Sequence, residues 1–204
     1  MKKVYKLHYD FNHLMDADFD SFHIEFENSK MIGANMISTR NFELPEKIYF
    51  QANFNIISNY DYPITDLGIP IMSKRMINIL FKIKSFKFRE IPIVMIDDTF
   101  MGDLFNSDGK LVTNVVTNNN FIAVQLMETC IAFDYKNSVY EEDFILPVGY
   151  IKKLILQEPE NGFPSLFKIE ESLADMFISE EAKNALEKQN IKGCIFEEVE
   201  VSQN

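Results

Sequence analysis

The chain has no tryptophan, two cysteines and three histidines (His8, His13 and His23), the latter all within its first 23 residues. Cys130 and Cys194 are far apart and sit in apolar, strand-like runs, which argues against a disulfide framework and for buried, reduced thiols. With seven glycines, the chain has no glycine-rich phosphate cradle, neither a P-loop nor a dinucleotide fingerprint. It also lacks the Gly-x-Ser-x-Gly elbow and the His-Glu-x-x-His helix, so no catalytic constellation has the spacing its chemistry needs. No apolar run approaches the roughly 20 residues of a membrane span. The opening MKKVYKLHYDF is broken by Lys6, His8 and Asp10 before a signal-peptide core can form, so a cytoplasmic location is expected.

Basic residues are also scarce. Lysine and arginine number 20 against 31 acids, a net charge of −11, and only Arg40, Arg75 and Arg89 are arginine. Such a chain repels phosphate backbones and attracts basic partners, although solubility alone is also served by an acidic surface. What is abundant is apolar: 47% of 204 residues are hydrophobic, with 19 phenylalanines. A chain of this length buries about 70% of its unfolded surface and needs no metal or disulfide to stay folded. It reads as one domain over 1–204, or as two subdomains, 1–118 and 119–204, joined at Asn118, Asn119 and Asn120.

The clearest local grammar is PSLFKIEESLADMFISEEAKNALEKQNIKGCIFEEVEV, residues 164–201. Ser179 stands where a helix N-cap belongs, Glu180 and Glu181 follow at the positive end of the dipole, and Ala182, Ala185 and Leu186 fall on one face. Asn190 to Gly193 supplies the stop, and Cys194, Phe196, Val199 and Val201 among glutamates read as a strand. A similar phrase comes earlier: Ile71 and Met72, then Ser73, then Met76, Ile77, Leu80 and Ile83, then 91–95. Superposing Ser73 on Ser179 brings Leu80 onto Leu186; the two phrases are either a duplicated strand–cap–helix–strand unit or a chance likeness.

Three other stretches carry candidate chemistry. Asp16, Asp18, Asp20 and Glu27 have calcium-loop spacing, but Ser21 stands at the loop's glycine and Phe22, Ile24 and Phe26 alternate as a strand. An acidic turn entering a strand is the better reading, and no metal or other cofactor is expected. KIKSFKFR, 82–89, interleaves Lys82, Lys84, Lys87 and Arg89 with Phe86 and Phe88, and Phe81 just before them. Bases could stack there, but with a net charge of −11 around it the segment reads as a helix end and strand with its lysines outward. Ser107-Asp108-Gly109-Lys110 reads as a hairpin turn, with 111–116 as the returning strand. Further strands are expected near 4–9, 48–54, 121–127, 130–134 and 149–157. The fold class is therefore α+β: one or two largely antiparallel sheets with a few short helices, led by 73–84 and 179–190.

The phrase from Pro164 to Val201 resembles the C-terminal signature of a family of bacterial polymorphic-toxin immunity proteins: a Pro before Leu-Phe, a strand ending in Ser, a helix, then Lys-Gly leading into a Phe-containing strand. Residues 121–126, Ala132-Phe133-Asp134, Ser138, Tyr140 and 151–156 resemble the family's middle section, so the likeness spans 65–201. It implies a binder that neutralises a cognate protein toxin by stoichiometric occlusion, without catalysis, nucleic-acid contact or membrane attachment. With no signal peptide expected, the toxin is expected to act in the cytoplasm, and the acidic charge is compatible with a basic one. Candidate contact acids are Glu141, Glu142 and Asp143 in a middle turn, and Glu197, Glu198 and Glu200 near the end. The alternative is a scaffold module with a non-toxin partner; it differs in whether expression rescues cells from a toxin.

Overall fold

A computed structural model describes residues 2–13, 19–24, 32–143 and 148–202. Two five-stranded sheets carry the molecule. The first is built from β1 (Val4–Tyr9), β9 (Ile155–Gln157), β10 (Leu166–Ile169), β11 (Ser172–Ser179) and β12 (Cys194–Ser202), in the order β10-β11-β1-β12-β9. The second contains β2 (Ser21–His23), β3 (Ile48–Ala52), β4 (Ile71–Ser73), β5 (Phe88–Asp97) and β6 (Thr117–Leu126), in the order β2-β3-β5-β6-β4. A two-stranded ribbon pairs β7 (Val139–Tyr140) with β8 (Ile151–Lys153). The helices are α1 (Ile32–Ile37), α2 (Phe54–Ile57), α3 (Lys74–Ile83) and α4 (Glu180–Lys188).

The class is α+β, but the sheets are mixed. Six of the eight pairings within them are antiparallel, in line with the sequence reading, but β3 runs parallel to β5 and β12 parallel to β9. The physical reason is the crossover: each parallel pair is joined by a long excursion through a helix, which antiparallel neighbours do not need.

Both sheets are organised around one motif. β4, α3 and β5 form a strand–helix–strand unit whose two strands are held apart by the antiparallel β6. β11, α4 and β12 form the same unit around the antiparallel β1. These are split βαβ units, and the orders β4-β6-β5-β3 and β11-β1-β12-β9 match strand for strand. The repeated phrase in the sequence is thus matched by repeated topology. One difference separates the copies: β6 follows β5 along the chain, whereas β1 reaches its central place from the N-terminal end. The suggested joint at Asn118, Asn119 and Asn120 falls inside β6, so a division into 1–118 and 119–204 would cut a strand that is paired on both sides, with β5 and β4. Nor are 111–116 and 130–134 strands; they contribute single bridges at Leu111 and Phe133.

The caps form as the local chemistry dictates. Ser73 Oγ accepts from the Met76 amide at 3.0 Å, and Ser179 Oγ accepts from the Ala182 amide at 3.3 Å. α4 ends with Asn190 at φ 52, the Asn190 amide on Glu187 O and the Ile191 amide on Leu186 O, a Schellman closure. α3 and α4 then pack against each other. Leu80, Met76, Ala182 and Leu186, all fully buried, join Tyr5, Leu7, Ile122 and Val124 from the two sheets in one core. Each such large side chain contributes about 2 kcal/mol of burial. Separate apolar clusters cover the opposite faces, one beneath α1 and one around Phe133, Phe167 and Phe177.

A polar hub ties the two units together. The buried Asp61 carboxylate accepts from Ser73 Oγ at 2.6 Å, from Arg75 Nη2 at 2.6 Å and from the Lys192 amide at 3.2 Å. Gly193 (φ 91) lies so close to this bend that an added Cβ would meet Tyr62 O at 2.6 Å. Serine 73 therefore serves both the cap of α3 and the join to the loop after α4.

Candidate partner-binding groove

β12 is a long strand whose sequence, CIFEEVEVS, places Val199 and Val201 in a core and leaves its glutamates outward. Beside it a groove of about 560 Å³ opens between β1, β11, β12 and the segment 149–154. Glu197, Glu198 and Glu200 all line it, joined by Glu171 and Asp175, against the lysines Lys6, Lys152 and Lys153. Three of the six sequence-predicted acids thus share one surface.

These carboxylates are held in place. Glu197 meets His8 Nε2 at 2.7 Å, Glu198 meets Lys3 at 2.9 Å, and Glu200 meets Lys153 at 2.7 Å. Asp175 pairs with Lys6 at 2.8 Å and accepts from Ser172 Oγ at 2.7 Å. Glu171 accepts from the Tyr135 hydroxyl at 2.5 Å, and this bond pushes the phenol up to about 12. Pairs this exposed contribute little to folding, about 0–1 kcal/mol each, so their carboxylates remain available to a competing cation.

The other predicted acids sit at the groove's margin. Glu141 pairs with Lys152 at 2.8 Å, and its backbone exchanges hydrogen bonds with Tyr150 and Gly149. Asp143 lies against Gly149, where a Cβ would come within 3.2 Å of the Asp143 Cβ. Glu142 and Asp143 are exposed and do not line the groove. Exposed apolar side chains edge the same surface: Tyr150 in the lining, Ile195 two residues before Glu197, and Val139 paired with Lys153.

The remaining candidates have structural employment. Asp20 is buried and accepts from the Ile64 amide at 2.8 Å; Asp16, Asp18 and Glu27 lie outside the described residues. Among the described residues no group of three His, Cys, Asp or Glu side chains is arranged to hold a metal. In the basic-aromatic segment, Lys84 donates to the carbonyls of Asn161, Gly162 and Phe163, Lys87 pairs with Glu128, and Arg89 donates to Phe42 O. Phe86 and Phe88 pack together against the main core. Both cysteines are free and half-buried rather than buried. Burial pushes the Cys130 thiol up to about 11 and Cys194 to about 12, leaving little thiolate at neutral pH. The His13 side chain is outside the described set, and His23 rests edge-on against Phe50.

Sequence reasoning overlooked Lys168. It is 1% exposed within the apolar run Leu166-Phe167-Lys168-Ile169, and a lone lysine in such a run was the available signal.

No protein-family model matches the chain, and no curated protein is significantly similar to it.

Proposed function

We propose that this protein is an immunity protein that occludes a basic, cytoplasm-acting toxin by binding it through the groove beside β12, without chemistry of its own. The observation that carries the reading is the groove itself: five carboxylates in one concave surface of a chain whose net charge is −11. The likeness of 65–201 to polymorphic-toxin immunity proteins gives the same reading from the motifs.

The physical logic is that of a steered, stoichiometric complex. Acids on the rim raise the encounter rate with a basic partner, and that gain weakens as salt rises. A stable interface buries about 1,600 Å² in total, more than a groove alone offers. Tyr150, Ile195 and Val139, all exposed, would supply the apolar anchors around it.

The test is a tagged pull-down from the native host, eluted along a salt gradient, followed by expression of the captured protein alone. One basic partner that is lethal by itself and harmless beside this chain is the expected outcome. Reversing Glu197, Glu198 and Glu200 together to Lys should lower the association rate about ten-fold or more at low salt. A non-toxic stoichiometric partner would replace this reading with the scaffold one. A captured toxin that attacks the cell wall would refute the cytoplasmic target.

A further inference from the structure

A second site adjoins the acidic groove, sharing Lys6 and Asp175 with it, where β10 and β11 meet the end of α1. Lys168 Nζ donates to Ile37 O, the last carbonyl of α1, at 2.5 Å. Among the described residues it has no carboxylate partner, and this hydrogen bond is the one it makes. A buried ammonium held by one carbonyl is poorly compensated, because the end of a short helix offsets only a fraction of the desolvation cost. Nor is a charge required to hold α1. Gln125, buried and neutral, already donates its amide nitrogen to the carbonyls of Asn35, Ser38 and Arg40 at the same helix end.

Lys168 also lines a cavity of about 230 Å³. Its walls are mostly apolar: Leu7, Met36, Leu173 and Met176, with Tyr62 beside them. The other charges facing it are balanced. Lys6 and Asp175 pair with each other at 2.8 Å, and His8 meets Glu197 at 2.7 Å. Tyr9 donates its hydroxyl to Ile69 O at 3.0 Å. Among the described residues this cation is left without an anion, beside a largely apolar space large enough for a small molecule.

We propose that this cavity binds a small organic monocarboxylate, its carboxylate paired with the Lys168 ammonium and its apolar body against Leu7, Met36, Leu173 and Met176. One negative charge matches the one unbalanced cation. An apolar body matches the walls, and inorganic phosphate, which has none, would be the weaker ligand.

The probe is benzoate, titrated into the full chain by calorimetry at pH 7, with benzamide and inorganic phosphate as comparisons. Saturable one-to-one binding of benzoate is expected, with benzamide and phosphate each weaker by about ten-fold or more, since a charge-assisted bond or the apolar contact is then missing. Lys168→Met should weaken benzoate by a similar factor, about ten-fold or more, and so erase its advantage over benzamide. A second readout needs no variant. Burial holds the Lys168 ammonium down to about 8, and burial holds the Tyr9 hydroxyl up at about 12, so the lysine loses its proton first and benzoate affinity should fall between pH 7 and pH 9.5. Equal affinity for benzoate and benzamide, affinity that is flat across that pH range, or no saturable heat at all would overturn the assignment.

Discussion

At the scale of single residues, polar groups placed inside the protein dominate. Ser73 and Ser179 read alike in the sequence, yet they differ in what they hold. Ser179→Ala should cost about 1 kcal/mol through the lost cap. Ser73→Ala should cost more, about 2–3 kcal/mol, because the buried Asp61 carboxylate also loses its 2.6 Å donor. Urea melts of the two variants check the order, and equal losses would deny Asp61 its role as a hub. Lys168 makes a pH-dependent contribution. Its amine is held down to about 8 against an ordinary 10.5, so from about pH 8 upward the unfolded chain binds a proton that the folded one has shed. Stability should therefore rise with pH across that window by up to about 3 kcal/mol. Tyr9 opposes this above pH 10, since burial holds its hydroxyl up to about 12 and the folded chain then keeps a proton the unfolded chain loses. The difference between wild type and Lys168→Met, followed from pH 7 to pH 9.5, isolates the lysine; a constant difference would contradict the shift.

At the scale of elements, α3 and α4 are a pair. Leu80 and Leu186 occupy matching positions after their caps, and both enter the core that the two helices and two sheets share. Leu186→Ala should cost about 3 kcal/mol. Because the two leucines line one cluster, the double variant with Leu80→Ala should depart from additivity by about 0.5 kcal/mol or more. A strictly additive pair would mean that the two helices are independently supported. Both caps and both helical faces were legible from spacing alone, because capping and the 3.6-residue period are local. The 111–116 segment was not: Leu111, Val112, Val115 and Val116 look like a strand, but among the described residues its ladder does not extend beyond the bridge between Phe105 and Leu111. The Asp-Gly turn before it does form, with Gly109 at φ 71 and its amide on Asn106 O.

At the scale of the whole molecule, β1 decides cooperativity. It lies between β11 and β12, so the first strand of the chain is the centre of a sheet otherwise made from the last fifty residues. Deleting residues 2–9 should therefore abolish the thermal transition altogether instead of trimming one edge. A truncated chain that still melts cooperatively with most of its sheet content would contradict this. The same strand, with Lys3 just before it, brings Lys6 and His8 from the start of the chain to the acids that β11 and β12 supply, Asp175, Glu197 and Glu198.

By itself the sequence determined the α+β class, the capped helices after Ser73 and Ser179, and the opening strand. All of these follow from short-range chemistry: hydrophobic period and cap oxygens. Only the tertiary structure decided the rest. Which strands run parallel, that Asn118, Asn119 and Asn120 belong to a strand, that Glu197, Glu198 and Glu200 share a groove with Asp175, and that Lys168 is buried beside a cavity all depend on partners distant in the chain. Strand periodicity shows which face of a strand is apolar; it carries no information about which neighbour that strand will pair with.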